Sequence, residues 1–393
     1  LKRFILFILL LSGFFGTAQA FTLSNQSYVS IITCGPGIEL FEAYGHTAIR
    51  VRDPLQRVDI VFNYGIFDFD DPNFYLNFAK GHLRYRIDAE NFDDFIAYYQ
   101  YFGRSVKEQI LRLDSMQKMT VLSFLQNNML PENQYYFYDY FYNNCATKIL
   151  DVVLLNAGDR LTLANADLSS GKSFRTLTDE YHQNQAWGDL GIDICLGLPC
   201  DKIATIKETA FLPEYLFNLL QNSKIGDDSL VEKTVELLPE TDLMHKNLPH
   251  PNVVFGIFVS MLFLINVYRF LKAKTWFWID YLLFFVLGMV GCLLFFLWFF
   301  TDHKASAVNL NLLWLNPFLL VYSLTTVFLS LKLKNLLNKV FSIYYLLILL
   351  VLPFIPQDVP DIAFYFAGWC LSVFLLRLFA KFPAKGANLL FPK

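Results

Sequence analysis

Two residues in this chain have the chemistry of an activated nucleophile. Cys145 lies in Asn143-Asn144-Cys145-Ala146-Thr147-Lys148, and His46 lies far upstream in Tyr44-Gly45-His46-Thr47-Ala48-Ile49-Arg50. A thiolate adds to a carbonyl, and an imidazole takes and returns the proton that the exchange requires. A third polar group normally fixes such an imidazole, and Asn63 or Tyr64, further along the sequence, is placed to do so. Taken alone, Cys145 reads equally well as a buried structural thiol and His46 as a satisfied core histidine. The pair is what points to chemistry.

Each member needs an element to hold it. Asn143-Asn144 followed by Cys-Ala-Thr-Lys-Ile-Leu reads as a loop entering an apolar helix, with asparagine at the cap. A cysteine there meets the positive end of the helix dipole and unpaired backbone N–H groups, which stabilise a thiolate. The same N–H groups can hold an oxyanion. His46 begins a segment rich in β-branched residues, so 47–52 reads as a strand, preceded by another at 28–33 and followed, after Asp53-Pro54, by a return strand at 58–64. Helical periodicity appears in 92–102, 115–129, 145–155 and 212–221.

Composition divides the chain in two. Of 393 residues 55% are apolar, 41 are phenylalanine and the mean hydropathy is +0.37, more than an ordinary water-soluble domain carries. Leu1-Lys2-Arg3, an apolar run over 4–15 and Thr17-Ala18-Gln19-Ala20 have the form of a signal peptide over 1–20, cut after Ala20. The alternative is an uncleaved anchor, but the run is short for a span. An exported domain over 21–226 and a polar helix or linker over 227–252 are expected to follow. Residues 21–252 hold 19 Lys and Arg against 31 Asp and Glu, a net of −12, which argues against a nucleic-acid partner. Cys195 and Cys200 form either a disulfide, if the domain is exported, or two small buried hydrophobes.

Beyond Asn252, over 253–393, five apolar stretches at 253–271, 276–300, 310–331, 340–355 and 362–380 approach the length of membrane helices. If the first domain is exported, ten of the eleven basic residues in this half fall on the cytoplasmic side, among them Arg269, Lys272, Lys332 and Arg377, with only Lys304 outside. Between the second and third spans, Asp302, His303, Asn309 and Asn311 are expected at the exported face, beneath the soluble domain. They are candidates for contact with a headgroup or acceptor, or else belong to a solvated turn. Tyr44 and Asn144, which flank the Cys/His pair in sequence, are further candidate substrate contacts. The aromatic run 135–142 suits an acyl groove or ordinary packing. His82, Arg84 and Arg86 suit headgroup contacts or a solvated strand face. His182, His245 and His250 lack ligand-like spacing, so no metal is predicted.

The order of these motifs, histidine on an early strand, a polar residue on the next and Asn-Cys at a helix start, resembles the circularly permuted branch of the papain-like, NlpC-type superfamily, which includes the lecithin:retinol acyltransferase group. More closely, Gly45-His-Thr-Ala-Ile-Arg50, Phe62-Asn-Tyr-Gly-Ile-Phe-Asp-Phe69, Asn73-Phe74 with Phe78-Ala-Lys-Gly81, and Asn144-Cys-Ala-Thr-Lys148 look like the Lnb family of bacterial lipoprotein N-acyltransferases. The resemblance implies an α+β permuted papain-like exported domain followed by an all-α five-helix transmembrane domain. It implies a multi-pass protein of the bacterial cytoplasmic (inner) membrane, with the catalytic domain on the periplasmic side. It makes Cys145 the nucleophile, His46 the base, a phospholipid the acyl donor and the amine of a diacylglyceryl lipoprotein's N-terminal cysteine the acceptor, with no cofactor. The rival readings are a membrane-anchored cysteine peptidase or amidase acting on cell-wall peptide, for which five spans are an extravagant anchor, and a non-catalytic membrane scaffold.

Overall fold

Alternating β-branched and apolar residues give β1 (Tyr28–Cys34), β2 (His46–Asp53) and β3 (Val58–Ile66), and these form the centre of an antiparallel sheet. The computed structural model describes residues 22–67, 73–82, 84–241, 248–274 and 276–379. The expected signal peptide over 1–20, His245, and Lys381, Lys385 and Lys393 lie outside the described residues. The sheet is completed by β4 (Arg84–Asn91), β5 (Val106–Leu111), β6 (Tyr135–Phe137) and β7 (Val231–Leu238), in the order β7-β5-β1-β2-β3-β4-β6. The expected Asp53-Pro54 turn holds, with Asp53 opposite Val58.

The polar segment expected as a linker from residue 227 is corrected here. Val231–Leu238 pairs with β5 as the edge strand of the sheet, so the first domain continues to at least Leu238. Its charges, Glu232, Lys233 and Glu236, face solvent, as suits an edge strand that must not recruit a further strand.

Both faces of the sheet are covered. On one, Ile31, Ile49, Phe62 and Tyr64 pack against α3 (Ser115–Asn128), α4 (Cys145–Ala157) and α7 (Pro213–Gln221), with Leu125, Ile149, Leu150 and Leu216 almost fully buried. On the other, Ile32, Cys34, Ala48 and Val61 pack against Phe95 and Tyr99 of α2 (Phe92–Tyr101). The remaining helices of this half are α1 (Phe74–Lys80), α5 (Phe174–Asp179) and α6 (Ala186–Cys195).

Among the described residues the second half has five helices long and apolar enough to cross a membrane, as expected, and the chain is a multi-pass membrane protein. They are α8 (Pro251–Leu271), α9 (Trp278–Phe299), a third span over Leu310–Phe328 built round α10 (Phe318–Thr325), a fourth built on α11 (Leu331–Val351), and α12 (Ile362–Phe379). The fourth begins well before the expected residue 340, because Lys332, Lys334 and Lys339 lie on its first turns. Not all the basic residues of this half are loop charges. Arg269 is buried in the bundle, the Arg377 side chain is 6% exposed, and both pair with Asp280, at 2.7 and 3.2 Å.

The halves are joined along a polar seam. Asn309 Nδ2 donates to the carbonyls of Ile194 (2.8 Å) and Cys195 (3.1 Å), and Asn311 Nδ2 to those of Asp193 (3.2 Å) and Ile194 (3.1 Å). These are the last carbonyls of α6, which a helix leaves without internal partners. Gly197 N donates to Ala305 O at 2.7 Å, and a Cβ at Gly197 would lie 1.9 Å from Ala307 O. Cys200 Sγ donates to Ala305 O at 3.3 Å, and all six cysteines are free, so the possible Cys195–Cys200 disulfide is not formed.

Candidate active site

Helix α4 starts at Cys145 because Asn144 caps it. Asn144 Oδ1 accepts from Thr147 N (3.0 Å) and Thr147 Oγ1 from Asn144 N (2.8 Å), a reciprocal pair that satisfies two backbone donors. Asn144 Nδ2 donates to Tyr140 O (2.8 Å) and Phe211 O (2.7 Å). Its amide is buried and committed at both ends. Asn144 therefore shapes the loop beneath Cys145, and it also lines the pocket beside that residue.

The Cys145 sulfur has two competing surroundings. Burial pushes its thiol up, while the charge of His46 and hydrogen bonds from His46 and the backbone N–H groups of Thr47 and Ala146 pull it down and prevail. The thiol is held below the ordinary cysteine value. For His46, burial works to lower the imidazole, but the Cys145 sulfur and the hydrogen bond to Asn63 leave it raised. Each group favours the charged form of the other, as activation of a thiol nucleophile requires.

His46 Nε2 lies 3.1 Å from Asn63 Oδ1, and Asn63 Nδ2 donates to Glu90 Oε1 at 2.8 Å. The two expected candidates for the third group separate by strand alternation. Asn63 shares the His46 side of the sheet. Tyr64 turns to the α4 side, where it is buried and meets Tyr136 edge-on at 6.1 Å. Cys145 and His46 thus approach from opposite faces and meet at the end of β3. Gly65 makes room there. Its φ of +94° and a register shift between Tyr64 and Ile66 bulge the strand, and a Cβ on Gly65 would touch Cys145 Cβ at 3.7 Å.

The pair opens into a pocket of about 410 Å³ whose wall includes Phe41, Tyr85, Phe95, Tyr98, Tyr138 and Tyr140. Tyr44 belongs to this wall, packed on Tyr140 and His182 with centroids 4.9 Å away in each case. The aromatic run 135–142 therefore divides. Tyr138 and Tyr140 face the pocket, Phe141 is core beside Phe174 and Phe211, and Phe137 and Tyr142 are exposed.

His303, Asn309 and Asn311 do not reach the pocket. The asparagines are buried in the seam, with their amides spent on α6 and Asn311 Oδ1 on Trp314 Nε1 (2.8 Å). His303 Nε2 is hydrogen-bonded to Phe78 O at 2.8 Å, and Asp302 to His82. This corrects the expectation of direct substrate contact for the two asparagines. Arg84 lies over Tyr135 and Arg86 pairs with Asp88 on β4.

Sequence reasoning missed Glu90 and Arg104. Arg104 also lines the pocket, pairs with Glu42 at 2.9 Å and donates to Gly35 O. Neither has a local signal, since each matters only through strands brought together from distant sequence.

Two family models match the chain, the Lnb N-terminal periplasmic domain over residues 17–180 and the Lnb transmembrane domain over residues 244–386. No curated protein and no solved structure matches it.

Proposed function

The chain belongs to the Lnb family in both its halves, and from that premise we propose that it moves an acyl chain from a membrane phospholipid to the N-terminal cysteine amine of a lipoprotein. The family indicates lipoprotein N-acyl transfer in general. The observation that carries the specific mechanism is the Cys145–His46–Asn63 chain at the start of α4, opening into an aromatic pocket on a protein with five membrane helices.

In the first half-reaction the Cys145 thiolate attacks an ester carbonyl of the donor. The oxyanion is held at the N-terminus of α4, where backbone N–H groups point outward. The ester C–O bond then breaks, His46 gives its proton to the departing alkoxide, and a lysophospholipid leaves. The acyl chain stays as a thioester on Cys145. In the second half-reaction the acceptor amine attacks that carbonyl, His46 takes the amine proton, and the thiolate departs. The ion pair is regenerated and an amide is left. Ester, thioester and amide follow one another without a nucleotide. Asn63 acts as a positioning residue through the His46 ring, and Glu90 through Asn63. The active domain lies on the periplasmic side of the inner membrane in this reading.

The test is mass spectrometry of lipoprotein N-termini from cells whose sole copy is intact or Cys145→Ala. An acylated amine with the first and a free amine with the second is expected, together with a hydroxylamine-labile acyl group on Cys145. Identical N-termini would overturn the assignment.

A further inference from the structure

Away from the pocket, one cluster of side chains holds more negative charge than its neighbours balance. Asp179 ends α5, and Asp189 and Asp193 are successive on one face of α6. One carboxylate oxygen from each lies within 4.8 Å of the other two. Arg175 is the cation at hand, but it serves Asp201 (2.9 Å) as well as Asp193 (2.8 Å). That leaves Asp179 and Asp189 without an arginine.

A second observation comes from His182. It is fully buried, neither ring nitrogen has a hydrogen-bond partner, and Nδ1 points at Asp189 Oδ1 from 3.4 Å. That Asp189 oxygen is also buried without a hydrogen-bond partner. Orphaned buried polar groups are rare in folded proteins and commonly mark a missing water or ion.

We propose that Asp179, Asp189 and Asp193 bind a divalent cation of calcium's size, with His182 positioning Asp189. Calcium takes oxygen ligands at about 2.3–2.6 Å, so two oxygens on opposite sides of it lie about 5 Å apart, as these carboxylates can. A bound ion draws one oxygen of Asp189 to itself, and His182 then fixes the carboxylate as outer-shell histidines and carboxylates fix one another. The absence of ligand-like histidine spacing in the sequence does not bear on such a site, because its ligands are carboxylates.

The location gives the ion a task. His182 packs edge-on against Tyr44 of the pocket wall, and the carbonyls that end α6 are those gripped by Asn309 and Asn311. A cation here pins α5 to α6 between the pocket and the membrane half. The proposal does not depend on the reaction assigned above.

The full-length protein in detergent, stripped with EDTA and dialysed, is titrated with CaCl₂ by calorimetry, and its thermal midpoint is followed with CaCl₂ or MgCl₂. One calcium per chain is expected, with a midpoint rise of roughly 5 °C near a hundredfold excess over the dissociation constant and a smaller rise with magnesium. Asp189→Asn and Asp179→Asn are each expected to weaken calcium binding at least tenfold, and His182→Gln by less. If Asp189→Asn is recovered unfolded, Asp189→Glu carries the comparison, with weakened binding expected. No stoichiometric uptake by the folded wild type, or unweakened uptake by a folded Asp189 variant, overturns the site.

Discussion

Asn63 Oδ1 lies 3.1 Å from His46 Nε2 while the other end of the same amide donates to Glu90 at 2.8 Å. The bond that Nδ2 donates to Glu90 leaves Oδ1 as the end of the amide that faces the ring, so Nε2 must carry a hydrogen. The remaining nitrogen, Nδ1, is left for the Cys145 sulfur. One amide thus selects the tautomer that a base needs.

Asn63→Ala should lower kcat by roughly 10²-fold, with little change in KM, because the ring loses its orientation and the hydrogen bond that helps to raise it. Glu90→Gln should cost less. A merely structural loss would instead appear in the thermal midpoint and spare the KM-against-kcat split.

The thiol should titrate below the ordinary cysteine range. Alkylation of Cys145 by iodoacetamide is expected to rise with pH through a midpoint under that of free cysteine, as the lowered thiol ionises. In His46→Ala only burial and the backbone donors remain, so the midpoint should move upward. In Cys145→Ala the partner that raises His46 is gone, and its imidazole, followed by NMR, should titrate lower.

Asn144→Ala should cost about 2–4 kcal/mol, since it removes a helix cap and strands the carbonyls of Tyr140 and Phe211. Asn144→Asp keeps the cap but turns a carboxylate oxygen on the two carbonyls, and should cost at least as much. Thermal unfolding in detergent measures both.

Asn309 and Asn311 belong to the seam, so Asn309→Ala should reduce stability and leave the pH midpoint for alkylation of Cys145 where it is. Gly197→Ala, whose Cβ would run into the Ala307 carbonyl, should be the more damaging of the two. Limited proteolysis between the halves reads the difference.

Asp280→Asn should destabilise strongly, by about 3–5 kcal/mol, because it leaves Arg269 and Arg377 buried without their carboxylate. The yield and midpoint of the purified protein would report it.

Much of this architecture was legible in the chain. The strands round His46, the capped helix at Cys145 and the five spans each rest on a local pattern of period, cap or length. What was illegible depends on contacts between distant segments. Strand alternation separates Asn63 from Tyr64 only once α4 is known to cover one face and α2 the other. The charged Val231–Leu238 reads as a linker because an edge strand hides its period behind solubilising residues. Asn309 and Asn311 advertise polarity near a bilayer, yet they spend it on carbonyls more than a hundred residues earlier in the chain.

The seam between α6 and the Asn309–Asn311 segment has a kinetic corollary. A domain bolted to its own membrane anchor does not search the bulk phase; if it is catalytic and both reactants are lipid-tethered, as proposed, encounter is confined to a plane. Turnover in vesicles should then follow the mole fraction of donor at the surface. Diluting the donor with an inert lipid would slow the reaction, and adding more vesicles of the same composition would leave the rate per protein unchanged.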